Sequence, residues 1–140
     1  MFAKKTVMLS LGLTLCTFSY QWVRGQSDAG IYTADQAHRG EALYKAQCTS
    51  CHGDALDGTG PYPPLTGNDF LSKYEGQPAL NVYDMIQKLM PATAPGSLTR
   101  PQAADLLAYI LSYNKFPAGK TDLPSDEDAL KKLTVPKPKA

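Results

Sequence analysis

The sequence predicts an all-α domain with three main helices joined by long loops. Three observations carry that expectation. Two stretches open on the capping pattern T-x-x-Q, at Thr33–Gln36 and Thr99–Gln102, and apolar residues follow each at steps of three and four. Of the 11 glycines and 11 prolines, six and seven fall between residues 53 and 101, which implies a loop-rich middle rather than continuous helix. No run alternates cleanly enough to argue for a sheet, and no internal repeat is visible. With 140 residues and 43% hydrophobic content, the chain fits one small folded domain plus processing or tail segments.

The elements follow in order. Lys4 and Lys5 precede the apolar stretch Val7 to Phe18, and a more polar segment runs on to Gly25. That is the pattern of a secretory signal over residues 1–25, and its apolar core is well short of the ~20 residues a spanning helix needs. An uncleaved membrane anchor is the alternative, and membrane association is expected only in that case. Cys16 follows Leu15, where a lipoprotein signal would have a small residue, so Cys16 is expected to leave with the signal. Residues 26–32 read as a lead-in, residues 33–116 as the domain, and residues 117–140 as a partly disordered C-terminal tail.

Within the domain, a first helix spans Ala34 to Gln47, with Ala37, Gly40, Tyr44 and Cys48 on one stripe. From Gly53 to Gln77 there is no sustained period, only turn signals. A loop of that length inside a small domain normally signals function, and wrapping a flat cofactor would account for it. A second helix runs from Pro78 to Leu89, with Leu80, Val82, Tyr83, Ile86 and Leu89 on its apolar side, and Pro91 stops it. The third helix extends to Tyr113 and buries Ala103, Leu106, Leu107 and Ile110. A short helix near Asp126 to Leu133, capped by Ser125, completes the reading.

The chemistry lies in Cys48-Thr49-Ser50-Cys51-His52, a C-x-x-C-H haem-attachment sequence. Two thiols three residues apart can both reach the vinyl-bearing edge of a porphyrin, and the adjacent imidazole can turn onto the iron. Two other uses of the motif compete. A redox dithiol would need a βαβ context that is missing, and a structural zinc site would need four ligands, with His38 the only other histidine. For the sixth iron position, Met90 at a helix exit is favoured over Met85 in mid-helix, where a methionine is more often core filling. His38 is expected to be an exposed helix residue.

Gly40 to Tyr44, the run Cys48 to Gly53, a later Met90-Pro91 and a closing helix reading Asp105-Leu-Leu-Ala-Tyr-Ile-Leu111 together resemble the class I cytochromes c. The resemblance covers about residues 33–114. It implies the cytochrome c fold around one covalent haem c with its iron, and terminal helices that cross closely at Gly40, with Tyr44 against Leu106 and Tyr109. It also implies His52 and Met90 as iron ligands, the carbonyl of Pro63 as the hydrogen-bond acceptor for His52, and Leu65 on the haem face.

The implied function is one-electron transfer, not catalysis on a small-molecule substrate. The stretch from Ala108 through Asn114 to Pro124 is similar to small cytochrome domains that accompany quinoprotein dehydrogenases, which implies such a dehydrogenase as donor and a terminal oxidase as acceptor. The other function class is a haem enzyme or gas sensor with an open distal site. Cleavage would remove Lys4, Lys5 and Arg24 from the 14 basic residues and none of the 13 acidic ones, leaving a formal charge of about −2. No basic patch suits a nucleic-acid partner. The expected location is periplasmic or otherwise exported.

Overall fold

A computed structural model describes residues 30–137 and consists of helices and loops. The signal and its cleavage site lie outside the described residues. Six helices follow one another: α1 Ala34–Gln47, α2 Thr49–His52, α3 Gly67–Tyr74, α4 Ala79–Leu89, α5 Arg100–Tyr113 and α6 Glu127–Lys132. Among the described residues the only β pairing is two isolated bridges, Thr59 with Tyr62 and Pro78 with Thr134. No helix among them is long and apolar enough to cross a membrane.

The frame is the packing of α1 on α5. Both helices begin on threonine caps, because a hydroxyl can accept from an otherwise orphaned N–H in the first turn. Thr33 accepts from the Gln36 N–H at 3.1 Å, and Thr99 forms a complete box with Gln102. The helices meet at Gly40, where an added Cβ would lie 1.9 Å from the Asp105 carbonyl oxygen. Only a residue without a side chain permits that approach. One turn on, the rings of Tyr44 and Tyr109 pack with centroids 5.2 Å apart. α5 is buried on nearly every side, through Ala103, Ala104, Leu106, Leu107, Ala108, Ile110 and Leu111.

Four features depart from the sequence reading. The stretch 53–77 contains a helix, α3, whose Phe70 is buried and stacks beside Tyr74. The buried side of α4 is Ala79, Val82, Tyr83 and Ile86, while Leu89 is 49% exposed. The last helix is capped by Asp126, not Ser125: the Asp126 carboxylate accepts from the Ala129 N–H at 2.9 Å.

The fourth departure is the largest. The domain does not end at residue 116, and residues 117–137 are not a loose tail. Leu123, Leu130 and Val135 are all buried in the same core as α1 and α5. Gln36 explains part of this. Its side chain does not return to its own helix cap but forms two buried hydrogen bonds with the backbone of Leu123.

Candidate functional site

The site is built where α1 runs into α2. Cys48 caps α1, its N–H donating to the Tyr44 carbonyl at 2.8 Å, and its own carbonyl accepts from the His52 N–H at 2.9 Å. The chain therefore passes from one helix to the next with a single residue between, and Cys48, Cys51 and His52 share one tight turn. Gly53, at a φ of 75°, ends α2, and the Tyr44 hydroxyl donates to its carbonyl at 2.7 Å. Both thiols are free and half-buried.

His52 is 7% exposed, with Nδ1 3.0 Å from the carbonyl oxygen of Pro63. A carbonyl can only accept, so Nδ1 carries the proton and the lone pair of the neutral ring is on Nε2. An imidazole fixed in this way is ready to bind a metal through Nε2.

The loop that supplies Pro63 is itself pinned. The Leu65 N–H donates to the Leu56 carbonyl at 2.8 Å. Asn114, just past α5, donates through Nδ2 to the carbonyls of Leu65 at 2.8 Å and Ile110 at 2.9 Å, and its Oδ1 accepts from the Gly67 N–H at 3.1 Å. Sequence reasoning gave Asn114 no role. The available signal was a polar side chain directly after the most apolar helix, a position where the last carbonyls need donors.

Cys48, Cys51, His52, Pro63, Leu65 and Met90 all line one cavity of about 310 Å³. Phe70, Val82, Ile86, Leu106 and Ile110 supply apolar wall. Met85 lines it too, while 38% exposed, so both candidate methionines border the cavity. His38 is elsewhere, exposed on α1 and 3.7 Å from Glu41. Apolar walls, two thiols on one turn, a spare imidazole nitrogen and thioether sulfur match what a haem and its iron require.

A family model described as cytochrome C oxidase, cbb3-type, subunit III matches residues 35–110, from the first turn of α1 nearly to the end of α5. The chain belongs to this cytochrome c family.

The cytochrome is 30% identical over 131 residues to the fructose dehydrogenase cytochrome subunit of Gluconobacter japonicus, covering 82% of this chain and 26% of that one. It is 33% identical over 85 residues to the thiosulfate dehydrogenase of Stutzerimonas stutzeri (strain A1501), covering 55% of this chain and 27% of that one. The cytochrome thus spans about a quarter of the length of these curated relatives. A chain in the crystal structure of the sulfane dehydrogenase SoxCD from Paracoccus pantotrophus superposes with a TM-score of 0.56 at 26% identity, over 71% of this chain and 53% of that one. Membership implies covalent haem c with its iron, and electron transfer as the domain's work.

The electrostatics of the cytochrome's site disfavour the competing thiol chemistry. Burial, and secondarily Cys51, pushes the Cys48 thiol up to about 11. A thiol protonated at neutral pH is a poor nucleophile for disulfide exchange. No three His, Cys, Asp or Glu side chains among the described residues converge as a metal-binding cluster. Sequence reasoning also missed Tyr62, which lines the cavity with its ring centroid 6.4 Å from that of His52.

Proposed function

We propose that this cytochrome is a one-electron carrier, with haem c bonded through the sulfurs of Cys48 and Cys51 and ligated by His52 and Met90. The observation that carries the reading is the common cavity wall. Cys48 and Cys51, the buried His52 with its lone pair on Nε2, and Met90 at the exit of α4 border the same apolar space. Haem supplies an iron that cycles between ferric and ferrous states with little change in geometry when both axial positions are filled.

The chain's residues set the terms of that exchange. The Pro63 carbonyl holds the His52 ring in one orientation and makes it a more basic ligand. A thioether ligand from Met90 favours the ferrous state relative to a second nitrogen. Leu65, Val82 and Ile86 keep water from the site, which raises the potential further because the ferric form carries the extra charge.

The donor we propose is an exported dehydrogenase, a quinoprotein being the specific candidate, with delivery towards a terminal oxidase of a respiratory chain. The names of the relatives, a dehydrogenase cytochrome subunit and two dehydrogenases, support a dehydrogenase as redox partner. The proposed location is the periplasm or another exported compartment.

A reduced-minus-oxidised absorption spectrum after acid-acetone extraction tests the cofactor. Haem that stays with the protein, with sharp c-type bands indifferent to carbon monoxide, is the expected result. A spectrum that shifts at once in carbon monoxide would mean an open distal site and a binding or catalytic role. In Met90→Ala the methionine-to-iron absorption of the ferric form should vanish and carbon monoxide should bind. If Met85→Ala does this instead, the assignment of Met90 is wrong.

A further inference from the structure

Residues 117–137 leave α5, cross α1 and return to the start of α4. Two attachments hold them to α1. The Gln36 side chain accepts from the Leu123 N–H at 2.6 Å and donates to the Leu123 carbonyl at 3.0 Å, both bonds buried. The Asp122 carboxylate accepts from Arg39 Nη2 at 2.8 Å and from the Thr33 hydroxyl. After α6, whose Leu130 is fully buried, the chain pairs with the entry to α4. The Gly76 N–H donates to the Val135 carbonyl at 3.0 Å, and the Val135 N–H to the Gln77 carbonyl at 2.9 Å.

That pairing repairs a defect. α4 begins after Pro78, which has no side-chain acceptor for the orphaned N–H groups of the first turn. The Leu133 carbonyl takes the Ala79 N–H at 2.8 Å instead. A turn further on, the Tyr83 hydroxyl lies 3.3 Å from the Ser125 carbonyl and 3.3 Å from that of Arg100. The first half of α4 is thus clamped between α5 and the returning segment. Its second half carries Met85 and Ile86 on the cavity wall, with Met90 as its C-cap. A helix this short behaves as a rod, so what fixes one end aims the other.

We infer that residues 117–137 are a positioning strap, which holds the start of α4 and thereby keeps Met90 in place at the haem iron. The inference rests on the reading of Met90 as a ligand. Without the strap α4 rocks on α5, and the sulfur leaves the iron more readily.

The test uses the haem-loaded full chain, a variant stopped after Pro124, and Leu130→Ala as a milder version should the shortened chain fail to take up haem. Amide hydrogen exchange over residues 79–90 reads the restraint, and the pH at which the ferric methionine-to-iron band is lost reads the ligand. Exchange in α4 should accelerate about ten-fold or more while α1 and α5 stay protected. The band should disappear at a pH lower by about one unit. Unchanged exchange over 79–90 overturns the strap, and faster exchange with an unmoved band overturns its role towards Met90. If the unaltered chain shows no methionine band, the ligand reading falls and the claim about Met90 with it. Exchange then decides whether the segment restrains α4.

Discussion

Gly40 and Asn114 show how single residues set this site. The close crossing of α1 and α5 has no room for even a methyl group at Gly40, since the obstacle is the Asp105 backbone and not a side chain that could swing away. Gly40→Ala should therefore cost at least about 2 kcal/mol in the denaturant unfolding of the haem-loaded protein, against the small gain expected of alanine in an open helix. Asn114 works in the opposite sense, by contact: two hydrogen bonds, to the Leu65 carbonyl and from the Gly67 N–H, tie the loop that presents Pro63 to His52, and a third to the Ile110 carbonyl anchors the side chain to α5. The cysteines, His52 and the two methionines were legible as candidates because covalent and metal chemistry restricts residue type and spacing. Asn114 and Tyr62 were not, because any polar or aromatic side chain reads the same until the fold shows what it faces.

At the scale of elements, helix starts were legible because capping is local chemistry. The T-x-x-Q pattern at Thr99 builds the full reciprocal box, and Thr99→Ala should lower stability by about 1 kcal/mol in the same denaturant measurement. The same pattern at Thr33 builds only half, since the Gln36 amide finds a better-buried partner in Leu123. Local sequence cannot disclose a competitor so far along the chain. α3 escaped notice for a related reason. It has eight residues and one buried side chain, Phe70, so its support comes from packing and not from periodicity. The apolar side of α4 was legible at Val82, Tyr83 and Ile86, but Leu89, which satisfies the same helical spacing, is exposed.

At the scale of the described domain, a cavity opens beside the packed core. Val82, Ile86, Leu106 and Ile110, which a small domain would ordinarily pack against one another, border about 310 Å³ of space. Haem contact is therefore part of what stabilises the domain, as with any ligand that binds only the folded state. The chain made without haem attachment, or with both cysteines replaced by alanine, should show much weaker far-ultraviolet circular dichroism and no cooperative unfolding. A native-like, sharply melting apo form would show that α1, α5 and residues 117–137 suffice by themselves.

The half-buried positions of Cys48 and Cys51 also bear on assembly. Both cysteines are half-buried and border the same cavity as Leu65, Met90 and Pro91, so on the proposed reading the sulfurs are reached more easily before the loops close. Once closed, the protein has no means of exchanging a spoiled porphyrin for a new one. Each molecule is charged with its cofactor a single time, and the lifetime of that cofactor is the lifetime of the polypeptide.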